Sequence, residues 1–354
     1  MTAVVLHLSD IHIRSKTDWI VSKAEEIGSC VFVSLPAAEA VFIVVSGDVA
    51  FSGTTEQYNA AKELFLAVRG HIQAEKDIPV HFVLAPGNHD CDFKRDDAAR
   101  KFILDGAKRN PASIDDSVIK IACQVQEPFE EFARALHTEG ETRVGDKLWT
   151  CHRFTVGSHE LVFDVLNASW CSQLREEQGS LVFPYSRYEK YLDQHVELRI
   201  GVLHHPLNWF SQAVHHPFKQ LLRTLSNIIF SGHEHVGGVG EDIGAETGHS
   251  AYVEGCVLQD DKNPPSTSSF NVVDLNLEDG TYCSTRYLWN GENRYSAAEE
   301  GSWENFRSIP KKAASRFPIS ANFLQLLSDP RAAFKFNAGT SIKLADLYVF
   351  PAMQ

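Results

Sequence analysis

The segment His81–Asp90, HFVLAPGNHD, sets an amide, an imidazole and a carboxylate (Asn88, His89, Asp90) side by side after a short apolar run and a Pro86-Gly87 break. Proline and glycine punctuate chains, so these side chains are expected on a loop at a strand end, where they suit metal ligation or proton transfer better than packing. Alone, Gly-Asn-His-Asp reads equally well as a turn, because Asn and Asp are common turn residues. Four further stretches share the design: Asp10-x-His12, Gly47-Asp48, His204-x-Pro206 and Gly232-His233-x-His235. Carboxylate, imidazole and amide donors suit Mn, Fe or Zn. No Cys is among them, which argues against a purely structural zinc site. On an extended segment residues i and i+2 point the same way, so Asp10 and His12 are expected to face one ion, and His233 and His235 likewise. Glycines before Asp48, Asn88 and His233 allow tight turns and close backbone approach. A lone DxH or HxH is more often a surface pair; five motifs in this order carry far more weight.

Strands must present these side chains. Val4–Leu8, Val41–Val45, Phe82–Leu84, Arg199–Leu203 and Ile228–Phe230 are short apolar runs, each leading into one motif. Val41–Val45 does not alternate, as expected of a strand covered on both faces. Between the first three lie an amphipathic stretch, Asp18 to Ala40, and a helix capped by Thr54 or Thr55 with Tyr58, Ala61, Phe65 and Val68 at helical spacing. Strand, motif and helix in threefold succession argue for parallel βαβ units, and ligands collect at the carboxyl ends of such strands. Residues 91 to about 140 are helical in pattern, charged and without a motif, and are expected to form an insertion or cap. Strands are expected at Leu148–Val156, Glu160–Leu166, Ala251–Leu258, Phe270–Leu275 and Tyr282–Leu288, the last two joined in a hairpin by Asp279-Gly280. Ser186-x-x-Glu189 has capping-box spacing and should start a helix to about Val196; a further helix is expected near Phe218–Leu225. The domain then covers residues 1–289, and 290–354 form a tail or linker.

At 354 residues, 44% hydrophobic and 22% charged, the chain has the composition of a soluble globular protein. The net charge of -13 disfavours unaided binding to nucleic acid or anionic membrane. Seven scattered cysteines without a CxxC pair fit a reducing compartment. The most apolar stretch, Val31–Val45, contains Ser34, Pro36 and Glu39, so no membrane span is expected. A cytoplasmic location is the expectation.

Taken together, the motifs resemble those of the calcineurin-like metallophosphoesterase superfamily, whose signature runs DxH, GD, GNH(D/E), H and GHxH; the match covers about residues 4–258. The resemblance implies an α/β fold, a four-layer α/β/β/α sandwich here carrying the helical insertion, with two divalent metal ions at one edge (Mn, with Fe or Zn as alternatives). It also implies that Asp10, His12, Asp48 and His235 hold the first metal. Asp48 bridges to the second, which Asn88, His204 and His233 complete. His204 is chosen over His205 because the family's ligand precedes an x-Pro step; His205 then orients a ligand or is structural. Two cations about 3.5–4 Å apart hold a bridging hydroxide and orient a phosphate for in-line attack. His89 is expected to protonate or stabilise the leaving oxygen. Asp90, counted with it as catalytic, orients a neighbour or caps the turn.

Protein Ser/Thr phosphatases of the superfamily extend the second motif to GDxxDRG. Residues 47–53 read GDVAFSG, so the second Asp and the phosphate-clamping Arg are absent. GNHD combined with His204-His205-Pro206 is similar to the cyclic-nucleotide phosphodiesterase branch and implies a phosphodiesterase acting on a nucleotide-like phosphodiester. The recombination-nuclease branch shares all five motifs, though the acidic charge argues against stand-alone DNA binding. A different class is also open: the ending Lys343–Pro351 is similar to the joint before a signalling NTPase domain in multidomain bacterial proteins, some of them defence proteins. That would make the chain a gated effector or sensor module with a C-terminal NTPase partner. The third alternative, a degenerate binding module, conflicts with the seven intact candidate ligands. Trp170, Tyr185 and Trp209 lie near motif-bearing strand ends and either stack on a base or fill the core; Asn167, also at a strand end, is a candidate substrate contact. The oligomeric state is open.

Overall fold

The computed structural model describes residues 2–305 apart from 139, 195, 236, 245–247 and 260–264. Along the chain, β1 (Thr2–Leu8), α1 (Ala24–Ser29), β2 (Ala38–Ser46), α2 (Thr55–Glu75) and β3 (Val80–Ala85) lead into α3 (Ala98–Arg109), α4 (Asp116–Ala122) and α5 (Glu127–Ala135). Next come β4 (Thr142–Gly145), β5 (Trp149–Val156), β6 (His159–Leu166), β7 (Leu198–Leu203), α6 (Gln212–Leu225), β8 (Ile228–Ser231), β9 (Gly238–Gly244) and β10 (Gly248–Glu254). The described chain closes with β11 (Ser269–Asn276), β12 (Thr281–Trp289), β13 (Tyr295–Glu300) and β14 (Glu304–Asn305).

Two seven-stranded sheets result, one in the order β13-β12-β11-β1-β2-β3 with β14 beside β12, the other β4-β5-β6-β7-β8-β10-β9. The alternation within the apolar strands builds the layers. In β2, Ala40, Phe42 and Val44 meet Phe163, Ile200 and Phe230 of the second sheet, while Val41, Ile43 and Val45 turn outward onto α2 residues such as Ala61, Phe65 and Val68. In the second sheet Val162 and Ile229 turn outward onto Phe218 and Leu222 of α6. Both strand faces are dry, which is why the sequence shows apolar runs instead of polar alternation. The fold is therefore an α/β/β/α sandwich.

The parallel units expected from the motifs are present as β1-β2-β3 and β6-β7-β8-β10. Antiparallel arms extend both sheets, so each is mixed. Thr54 does cap α2, and the Gln57 side chain accepts from the Ser52 and Thr54 backbone N–H groups. Three expectations need correction. The segment after Ser186 is a nine-residue 3-10 helix, Tyr185–Asp193, that follows Pro184 and has no side-chain cap. Its spacing of three suits the eclipsed side chains of a 3-10 turn, with Tyr188 and Tyr191 stacked at 6.1 Å. The amphipathic stretch 18–40 is broken into 3-10 turns (Trp19–Lys23 and Leu35–Ala37) around the single short α1, with β2 already starting at Ala38. The tail does not begin at 290: β13 and β14 pair with β12, and of the stretch 290–354 only 306–354 lie outside the described residues. The stretch after Cys91 carries helices as expected, the last of them ending at Ala135. Of these, α3 and α4 pack beside the second sheet, and Phe129 and Phe132 of α5 join the layer of α2. Among the described residues no helix is long and apolar enough to cross a membrane.

Candidate metal centre

Every motif lies just past a strand's carboxyl end. Asp10, His12, Asp48 and Asn88 follow β1, β2 and β3 of the first sheet; His204, His233 and His235 follow β7 and β8 of the second. Backbone and side-chain bonds sew the two edges together. The Ser46 hydroxyl donates to the Ser231 carbonyl (3.0 Å), and the His233 N–H donates to Asp10 Oδ2 (3.2 Å). His204 Nδ1 lies 2.8 Å from the Ser46 carbonyl.

The local backbone differs from the extended geometry expected for the DxH and HxH pairs. Asp10, His12, Asp48, His233 and His235 all have positive φ, between 49° and 78°. An L-residue in that region costs about 1–2 kcal/mol, and such outliers persist where the surroundings over-determine them. Here the Ile11 and His12 N–H groups both donate to the Asp48 carbonyl (2.8 and 2.9 Å), and the His233 N–H donates to Asp10 Oδ2 (3.2 Å). The side chains share a face because each loop is curled, not because it is extended. Two of the glycines make room for a neighbour's side chain. A Cβ on Gly47 (φ 105°) would lie 2.4 Å from His204 Nδ1, and one on Gly87 would lie 2.0 Å from Asp48 Oδ1.

The seven expected ligands come together in one cluster. Asp10 Oδ1 lies 3.2 Å from His235 Nε2 and 3.9 Å from His12 Nε2, and His12 Nδ1 is 4.0 Å from Asp48 Oδ2. On the other side of Asp48, His204 Nε2 is 3.3 Å from its Oδ2, 3.1 Å from Asn88 Oδ1 and 3.2 Å from His233 Nδ1. His233 Nδ1 is also 3.1 Å from Asn88 Oδ1. Asp10, Asp48, His12 and His204 are buried, Asn88 and His233 half-buried, and His235 exposed.

This donor set fits cations. Asp10 Oδ1 and His12 Nδ1 are buried without a hydrogen-bond partner. A carbonyl only accepts, so His204 Nδ1 carries a proton toward Ser46, which aims Nε2 at the Asp48 carboxylate and the His233 ring nitrogen. Acceptors facing acceptors in a buried site require positive charge between them. The electrostatics say the same. Burial would raise the Asp48 carboxyl, yet the His204 imidazole holds it well below the usual carboxylate range; Asp10 is likewise lowered against burial by His235 and His204. Burial lowers His204, but Asp48 outweighs it and lifts the imidazole to about 10. Burial, and next the neighbouring His204, push His233 down to about 2, a neutral ligand state. Cys91 lies nearby, but burial pushes its thiol well up, away from the thiolate a metal would need.

His89 stands beside this cluster. Its N–H donates to Asp48 Oδ1 (2.8 Å), its ring lies 4.7 Å from that of His12, and its Nδ1 sits 2.7 Å from the Phe51 carbonyl, which leaves Nε2 for other partners. Asp90, placed among the catalytic residues from sequence, is fully buried instead. Its carboxylate accepts from the Ala50, Gly87 and Val49 N–H groups (2.9, 2.9 and 3.2 Å) and from the Tyr58 hydroxyl (2.9 Å). Burial and the Asp48 charge push it up to about 6 despite those donors. Asp90 thus clasps the second and third motif loops together: it orients and caps, and touches no open space. His205 lies behind the ligands, with Nε2 3.0 Å from Glu176 Oε2 and its ring 4.4 Å from that of His233.

Trp170 is core, its indole N–H donating to the Val182 carbonyl, and Tyr185 packs on the same cluster. Trp209 is at the site, edge-on to His233 at 4.2 Å. Asn167 is not: it pairs with Gln126 (2.8 Å) and lines a separate cavity of about 400 Å³ beside α5. Sequence inspection also passed over Ser9, whose hydroxyl donates to Asp10 Oδ2 (2.7 Å), and Ser46; both adjoin motifs, which was the available signal. Nothing in the sequence pointed to Glu176. A cavity of about 610 Å³ opens onto Asn88, His89 and His233 and is walled by Phe51, Phe93, Leu174 and Trp209.

The family model described as calcineurin-like phosphoesterase matches residues 3–237. The metallophosphoesterase-like protein YydB of Bacillus subtilis is 23% identical over 312 residues, which cover 82% of this chain and 60% of that protein. The chain thus spans about 60% of the length of this curated relative. Among solved structures, the NAD nucleotidase NadN of Haemophilus influenzae is 11% identical (TM-score 0.40; 88% of this chain, 61% of that one). The sulfate thiohydrolase SoxB of Thermus thermophilus is 12% identical (TM-score 0.41; 87% and 56%).

Proposed function

The chain belongs to the calcineurin-like phosphoesterase family, and from that premise we propose that it hydrolyses a nucleotide-like phosphodiester at a centre of two divalent cations. The observation that carries this is the cluster itself: two buried carboxylates, an amide and four imidazoles that converge at a sheet-edge seam. Asp10, His12, Asp48 and His235 would hold one cation and Asp48, Asn88, His204 and His233 the other, with Mn, Fe or Zn matching the donor chemistry. When bound, the cations neutralise phosphate charge and acidify the attacking water. The protein supplies the rest. His89, its Nδ1–H donating to the Phe51 carbonyl, would act as the imidazolium: it gives its Nε2 proton to the leaving alkoxide as that P–O bond breaks, while the attacking water bonds to phosphorus and releases the proton that restores the imidazolium. Asp90 keeps the two loops in register around Asp48.

A diester is favoured over a monoester because Lys94 is the only Lys or Arg among the residues lining the cavity. No guanidinium fork is present there to clamp a dianion. The test is hydrolysis of bis-p-nitrophenyl phosphate and p-nitrophenyl phosphate, each with added Mn and with chelator. Metal-dependent diester cleavage is expected, with Asp48→Ala losing both activity and bound metal. His89→Ala should keep its metal and lose about 10²–10⁴-fold in kcat. Cleavage of the monoester with none of the diester would overturn the proposal.

A further inference from the structure

We infer that the cavity beside His89 takes a planar ring on the leaving group, so that the alcohol released is a nucleoside and not the substituent retained on phosphorus. The inference rests on the phosphodiesterase reading and adds the identity and direction of the substrate. The cavity, at about 610 Å³, falls in the range of small-molecule sites. Asn88, His89 and His233 line it, so its contents adjoin the imidazole that would protonate the leaving oxygen. Three aromatic rings, Phe51, Phe93 and Trp209, stand among its otherwise mostly polar lining residues, which include Ser52, Asp92 and Gln173. The Trp209 indole N–H donates to Glu234 Oε1 (2.7 Å) while its ring stands at 84° to that of His233. The Arg14 guanidinium lies over one face of Phe51 at 3.8 Å and fixes that ring. At the lip Leu174 is 79% exposed, an apolar side chain that a bound ring would cover. Phe93, half-buried, also lines the cavity. Aromatic side chains that need no reorganisation are the means by which proteins hold bases without reading their sequence.

Hydrolysis of such a substrate balances as water plus diester giving the retained phosphomonoester and the free nucleoside, with one proton passed to the nucleoside oxygen. The diester formed from methanol and adenosine 5′-monophosphate separates the two directions, because either P–O bond can break. With the Mn-loaded protein, chromatography is expected to show adenosine and methyl phosphate. Phe93→Ala should lower kcat/KM for this diester about tenfold or more, the usual scale for loss of a stacked base. AMP and methanol as products, or cleavage no faster than that of dimethyl phosphate while bis-p-nitrophenyl phosphate is cleaved, would overturn the inference and leave the phosphodiesterase reading standing. If bis-p-nitrophenyl phosphate itself is inert, the phosphodiesterase reading fails. Calorimetric titration with adenosine then still decides on the cavity: binding weakened by Phe93→Ala upholds the ring site, and absence of binding removes it.

Discussion

Replacing Gly87 by Ala challenges the placement of Asp48 with a single methyl group. The new Cβ would lie 2.0 Å from Asp48 Oδ1 and 2.5 Å from its backbone nitrogen, where real Cβ atoms essentially never come within 3.0 Å. Oδ1 is not free to swing aside, since it takes the His89 N–H at 2.8 Å. The carboxylate must therefore retreat by about 1 Å, and a misplacement of that size costs about 10²-fold in rate. In barrier height this is about 2.7 kcal/mol. The assay is kcat/KM for bis-p-nitrophenyl phosphate at saturating Mn, read beside bound-metal content and thermal unfolding. Gly70→Ala is the control: that position on α2 is exposed, and nothing lies within 4 Å of an added Cβ. It should leave activity unchanged and stabilise by roughly 0.5–1 kcal/mol. A folded, metal-loaded Gly87→Ala protein with undiminished kcat/KM would refute the claim that this contact sets the reacting geometry.

Other substitutions probe the frame around the site. Asp90→Asn keeps shape but turns an NH₂ toward at least two of the four donors now satisfied; at about 1–3 kcal/mol each, urea unfolding should register the loss while bound metal is retained. Unchanged stability with abolished turnover would instead put Asp90 on the reacting atoms. Arg199→Ala strands the fully buried Asp164, which Arg199 Nε contacts and Trp149 Nε1 meets at 2.9 Å. The denaturation midpoint should shift by the equivalent of about 3–5 kcal/mol, and a neutral result would mean water reaches the carboxylate. Burial raises the Glu141 carboxyl, but hydrogen bonds from His152 and Arg143 bring it down to about 2, below its ordinary 4.5. Its contribution to stability is thus full above pH 4.5 and lost as pH falls toward 2; Glu141→Gln should flatten that acid limb, and an unaltered limb would show that the pairing does not persist in solution.

The five motifs were legible because each pairs an apolar strand with a polar end, a pattern that local sequence carries. The left-handed turns at Asp10, His12 and Asp48 were not. They arise from hydrogen bonds between strands far apart in sequence, such as Ile11 to Asp48, which no local propensity encodes. The direction of Asp90 was hidden for a similar reason: adjacency to His89 does not say whether the side chain orients a neighbour or only caps the turn, and a three-residue step round the Gly87 turn sends it inward to Tyr58. The β11–β12 hairpin was legible from Asp279-Gly280, whereas β4, β9 and β13 escaped notice because they are short or polar strands that extend a core specified elsewhere. Tyr185–Asp193 looked α-helical by its capping spacing, and tertiary packing of its tyrosines on Trp149 overrode that signal.

The seam between the sheets has a consequence for how the protein comes apart. The first sheet contributes Asp10, His12, Asp48 and Asn88, and the second contributes His204, His233 and His235. An ion held jointly is then a cross-link, joining segments distant along the chain as a disulfide would in a secreted protein. Closing a long loop removes chain entropy from the unfolded state, and binding only to the folded form adds stability with concentration. Metal supply would then set mechanical cohesion as well as turnover, and a chain starved of ions would open first along the edge where its substrate enters.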